Sequence, residues 1–177
     1  MKYVLLLLVV LYSPFYLLAQ QEEEASGIFS DIFAEIEFVQ GQVVKLAGAI
    51  PEDKYGWRPA EDVRSVSEVF MHIGEANYFL STFFGGSMPE GYTRELTTTI
   101  TKRSEVIDFI NKSYSYTRDI LTKVKEEDLE KPVDFFGNKS NIRRMILTIL
   151  FHSHEHLGQA VAYARMNNVV PPWSAGK

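Results

Sequence analysis

The chain has 177 residues, with 23 acidic against 18 basic side chains, a net charge of −5 and no cysteine. An acidic chain without a lysine or arginine cluster is a poor match for phosphate backbones, so nucleic acid is not the expected partner. Without cysteine there is no thiolate nucleophile, no cysteine-ligated zinc, no iron–sulfur centre and no disulfide.

The N-terminus carries Lys2, then an apolar run from Tyr3 to Leu18 broken only by Ser13 and Pro14, then Ala19 ahead of the acidic stretch Gln20 to Glu24. A positive start, an apolar middle and a small residue where a peptidase can cut make residues 1–19 a secretory signal peptide. An uncleaved membrane anchor is the alternative. Against it, Pro14 interrupts the run, which falls short of the roughly 18 apolar residues that span a bilayer. Residues 20–177 are therefore expected to form one domain, periplasmic or secreted, with no stable membrane insertion after cleavage. Their number suits a single domain with a sizeable buried core.

In the first predicted helix Ile28, Ile32, Ile36, Val39, Val43 and Leu46 recur every three or four residues, and Pro51 closes it. Residues 51–64 form a connection rich in turn formers and charge. Ser65 and Glu68 then read as a capping box that starts a second helix. Its stripe is Val69, Ile73, Ala76, Leu80 and Phe83, and Gly85-Gly86 with Pro89 ends it. After a threonine-rich stretch, Val106, Phe109, Ile110, Tyr114, Thr117, Ile120, Leu121 and Val124 mark a third helix, with Thr99 or Thr101 as its expected cap. A loop over Pro132 to Gly137 leads to Asn138 or Ser140 as cap of a fourth. That helix carries Ile142, Met145, Ile149, His152, His156, Ala160 and Tyr163, and is expected to end near Asn167-Asn168. Four amphipathic helices and no convincing strand pair give the expected fold class, an all-α four-helix bundle.

Three of the four histidines lie between positions 152 and 156. On a helix, His152 and His156 sit about 40° apart in azimuth and roughly 6 Å apart along the axis, on the core-facing row. His154 is about 200° from His152 and faces elsewhere. His72 adjoins the stripe position Ile73 and can look into the same interior. Three imidazoles suit a divalent ion, with zinc or nickel first and iron or manganese as alternatives. Three protein ligands leave a position open, which is the catalytic pattern. Glu68, Glu75 and Glu155 are the neighbouring acids able to orient a ligating imidazole, and Glu75 is the candidate general base. Tyr55, Trp57, Tyr78, Phe83, Phe84 and Trp173 either line a pocket mouth or anchor core and loops.

These residues resemble the DinB-like superfamily of metal-binding four-helix bundles. The resemblance is carried by Ile50-Pro51-Glu52, Trp57-Arg58-Pro59, Val63-Arg64-Ser65 and His72-Ile73, by His152 to Gln159, and by Val170-Pro171-Pro172-Trp173-Ser174. It implies that His72, His152 and His156 are the metal ligands, and that the bundle runs up-down-down-up with a long connection between helices 2 and 3. It also implies a tendency to form homodimers. The superfamily includes metal-dependent enzymes that add or move small thiols on electrophiles, a mycothiol-dependent isomerase among them. This chain departs from it at Leu157, where relatives often place arginine, and in its expected export. The expected function is a metal-dependent hydrolase or thiol/group transferase acting on a small-molecule substrate that the sequence does not name. The alternative is a non-catalytic metal-binding or interaction module.

Overall fold

The computed structural model describes residues 27–176; the expected signal peptide, residues 1–19, lies outside them. Four long helices, α1 (Ile28–Ala49), α2 (Val66–Ser81), α4 (Arg103–Leu121) and α5 (Ile142–Met166), are joined by a one-turn helix α3 (Leu96–Thr99) and a hairpin of β1 (Pro132–Phe135) and β2 (Asn138–Asn141). No described helix is long and apolar enough to cross a membrane.

The predicted stripes face inward because each helix has an apolar side that only another helix can cover. From α1, Ile32, Ile36, Val39, Val43 and Leu46 are buried, and Ile50 turns extended ahead of Pro51, where a helical residue would clash with the proline ring. The capping box of α2 is present: Ser65 Oγ accepts from Glu68 N at 3.3 Å, and Ser65 N donates to Glu68 Oε2 at 2.8 Å. Helix α2 packs on both α4 and α5, as does α1, so α2 is buried almost all round.

Polar pairs fix the register inside the bundle. Asn77 Nδ2 donates to Ser113 Oγ at 3.2 Å, Ser81 Oγ lies 3.3 Å from Thr117 Oγ1, and Tyr114 donates to Ser153 at 3.0 Å. The first two pairs advance together along α2 and α4, so these helices run side by side in the same sense.

Three local expectations are corrected. The cap of α4 is Lys102, not Thr99 or Thr101. Thr97, Thr98 and Thr99 turn their hydroxyls back onto the Arg94 and Glu95 carbonyls at 2.7, 2.9 and 2.9 Å, which commits them to α3. The cap of α5 is Asn141, whose side chain accepts from Arg144 N at 3.0 Å, because Asn138 and Ser140 are paired in β2 with Phe135 and Val133. The strand pair itself was not foreseen, since four-residue strands with mixed polarity carry almost no periodic signal.

Candidate metal centre

His72 comes from α2, and His152 and His156 from consecutive turns of α5. Their ring centroids lie 4.8 Å (His72 to His152), 4.7 Å (His72 to His156) and 4.4 Å (His152 to His156) apart. One nitrogen from each, all within 4.8 Å of one another, forms a group able to hold a metal ion. His154 points away and pairs with Glu35 at 2.6 Å, as its azimuth required.

Hydrogen bonds decide which nitrogens are free. His72 Nδ1 lies 3.3 Å from Glu75 Oε2, and an ionised carboxylate only accepts, so the proton sits on Nδ1 and Nε2 keeps its lone pair. Gln159 Nε2 donates to Tyr163 Oη at 2.9 Å, which leaves Gln159 Oε1 to accept from His156 Nδ1 at 2.8 Å. His156 Nε2 is therefore also free. His152 Nε2 stands 3.1 Å from His72 Nε2, while its Nδ1 is buried and has no partner among the described residues. Two nitrogens on one tetrahedral ion, each about 2.0–2.1 Å from it, sit about 3.3 Å apart, so this spacing and the all-nitrogen donor set fit a divalent cation.

The surrounding residues sort differently from expectation. Glu75 does contact one of the three histidines, His72. Glu68 instead caps α2 and pairs with Arg58 at 2.9 Å, and Glu155 is exposed. The partner of His156 is Gln159, which sequence reasoning missed although its spacing of three residues on one helix face was the available signal. Tyr163 is braced in turn by the edge of Trp57, at 5.4 Å and 78°. Leu157 is buried in the core.

A cavity of about 550 Å³ opens beside the histidines, lined by His72, Glu75, Phe79, Tyr92, Phe136 and His152 among others. None of the six aromatics considered as a pocket mouth lines it. Tyr55 is a core residue whose hydroxyl donates to the Ala47 carbonyl at 2.8 Å, Phe84 is buried, and Tyr78 packs on Phe109 and Tyr116. A polar recess that shares His72, Glu75 and Arg94 with this cavity is lined also by Arg64, Glu68, Thr97 and Thr98.

Burial, then the nearby Arg64, lower the pKa of His72 below the ordinary 6.5, against the opposing hydrogen bond to Glu75. Burial, then His156, His72 and Arg64, push His152 down to about 3. Both rings thus stay neutral in the folded protein under conditions where the unfolded chain binds protons. Their contribution to stability is present above pH 6.5 and is lost as pH falls from there toward 3. The thermal midpoint of the metal-free protein is expected to drop between pH 7 and pH 5, and His152→Gln should flatten that drop. Identical slopes in the two proteins would contradict this account.

The fold and site define a helical bundle with a three-histidine group between two of its helices, next to a cavity. Residues 35–160 match the sequence profile of the DinB superfamily, and the chain belongs to that superfamily. It is 28% identical over 127 residues to the uncharacterized protein YjoA of Bacillus subtilis, a match covering 68% of this chain and 79% of YjoA. A DinB-like protein of Bacillus cereus is similar in structure, with TM-score 0.66 and 16% identity over 80% of this chain and 93% of that one. The YjoA crystal structure gives TM-score 0.62 at 20% identity, covering 78% and 92% of the two chains. A conserved protein of Enterococcus faecalis gives 0.65 at 15%, covering 80% and 98%.

Proposed function

We propose that His72, His152 and His156 bind one divalent metal ion, zinc or nickel in preference to iron or manganese, and that the protein is a metal-dependent hydrolase or thiol/group transferase. The observation that carries this reading is the set of imidazoles turned toward one point, two with their outer nitrogens engaged and their inner ones free. A cation there supplies Lewis-acid chemistry, and three protein ligands leave room for a substrate atom.

The chain's own residues divide the remaining work. Glu75 Oε2 holds the tautomer of His72, while Oε1 faces Arg94 Nε at 3.7 Å at the cavity wall, where it can accept a proton from a bound nucleophile. Gln159, steadied by Tyr163, holds His156.

The test is turnover of zinc- or nickel-loaded protein on panels of esters, amides and thiol-plus-electrophile pairs, run beside His152→Ala. The enzyme reading expects at least one panel to be turned over, and that rate to vanish in the variant. Equal rates in the two proteins on every panel would leave the non-catalytic module.

A further inference from the structure

The cavity beside the histidines has a built aromatic wall that the metal reading does not use. Phe79, Phe135 and Phe136 line it, with Ala76, Leu80 and Met88. At about 550 Å³ it falls in the range of small-molecule pockets, mostly apolar with a few polar groups.

Phe136 is the least expected member. It occupies the first position of the two-residue turn between β1 and β2 with φ 53°, followed by Gly137 at φ 79°. Such a turn favours Asn-Gly, and a bulky residue held in the left-handed region is strained. The Phe136 ring is also 76% exposed, and it stacks on Phe79 at 5.9 Å and 28°. A strained, exposed aromatic ring at a cavity rim gains burial when an apolar ligand enters beside it, and its stacking on Phe79 suits a flat one.

The polar end of the cavity points to charge. Arg94 lines it with a side chain 89% exposed, and its one ion-pair contact among the described residues is the 3.7 Å approach to Glu75. Tyr92 Oη is buried and makes no hydrogen bond of ordinary length among the described residues, although the Glu75 carboxylate is close enough to interact with it. Burial, then that interaction with Glu75, raises its pKa, so it remains a donor at neutral pH. A ligand oxygen that accepts from this hydroxyl at ordinary length would offset the cost of its burial.

We propose that this cavity takes an organic anion with a flat apolar body, the body between Phe79, Phe135 and Phe136 and the anionic end against Arg94, Tyr92 and the histidines. The proposal deepens the metal-site reading and rests on it only for where the anionic end points.

The probes are 2-naphthoate and its neutral counterpart 2-naphthylmethanol, titrated into the full chain with and without zinc. Both bind wild type, and 2-naphthylmethanol binds equally well without zinc. Phe136→Asn raises both Kd values at least fivefold while the thermal midpoint holds or rises, because asparagine relieves the turn. Phe136→Gly, which also tolerates positive φ, gives the same loss of binding. Tyr92→Phe and Arg94→Gln weaken 2-naphthoate at least fivefold and leave 2-naphthylmethanol unchanged. Failure of 2-naphthylmethanol to bind, or indifference to both Phe136 variants, overturns the aromatic pocket. Equal 2-naphthoate affinity in wild type, Tyr92→Phe and Arg94→Gln overturns the anionic end. Absence of zinc binding would sink the metal reading alone, since the neutral probe does not depend on it.

Discussion

His152→Ala is expected to lower zinc affinity by more than about 100-fold, beyond the 10–100-fold typical of losing an outer partner of a metal ligand. The three rings form a nearly equilateral triangle, with His152 4.8 Å from His72 and 4.4 Å from His156 and those two 4.7 Å apart, and His152 Nε2 faces His72 Nε2 at 3.1 Å. Without it, only two imidazoles remain to hold the ion, one from each helix. Glu75→Leu and Gln159→Leu should each cost about 10–100-fold, because His72 and His156 then lose the contacts that orient them. Zinc at 100 times its Kd stabilises a fold by about 2.7 kcal/mol, which for a domain of this size raises the thermal midpoint by roughly 5–11 °C. Competition against a chelator, paired with melting curves, measures both quantities. A His152→Ala protein that keeps stoichiometric zinc and the full thermal shift would refute the centre.

Gly74→Val is expected to destabilise the bundle by about 1–3 kcal/mol, a fall of roughly 2–12 °C in midpoint. A Cβ at Gly74 would stand 2.6 Å from Phe109 Cε1, 2.7 Å from Phe109 Cδ1 and 3.3 Å from Ser113 Oγ. The Phe109 ring has little room to yield, being packed against Tyr78 at 5.7 Å and stacked on Tyr92 at 6.3 Å and 19°. Displacing it would press on Tyr92, a wall of the cavity, and on α2 two residues from His72. Gly74→Ala is the sharper comparison, because glycine to alanine inside a helix ordinarily stabilises by about 1 kcal/mol. At Gly41 of α1, where an added Cβ meets nothing within 4 Å, that ordinary gain should appear. Differential scanning calorimetry on the two alanine variants decides it; a Gly74→Ala midpoint at or above wild type would show that α2 and α4 are not in close approach there.

The long helices were readable because their stability comes from burying one face, and that requirement writes a period of three to four residues into the chain. The Ser65 and Glu68 capping box is a local device and was equally visible. The hairpin escaped notice because its four-residue strands follow no clean alternation and Phe136 occupies the turn position where asparagine would have announced it. The caps of α4 and α5 were misplaced for related reasons, since serine, threonine and asparagine all cap well and the sequence does not say which are already engaged.

At the site, the azimuths of His152, His154 and His156 separated two inward-facing rings from one bystander, as the structure bears out. The partner of each ring was less accessible: Glu75 was one of three acids named, and Gln159 was passed over. Tyr92, Arg94 and Phe136 lie in connections with no period to report them, and the aromatics that the sequence made conspicuous turned out to brace the core and loops.

By itself the sequence determined the helices, the face each one buries and the three histidines, because helical geometry is a relation among near neighbours in the chain. Only the tertiary structure decided the separation of His72 from the α5 pair, which imidazole nitrogens are free, and which side chains wall the cavity. Those are distances between residues tens of positions apart, set by how α2, α4, α5 and the hairpin pack together, and no local pattern encodes them.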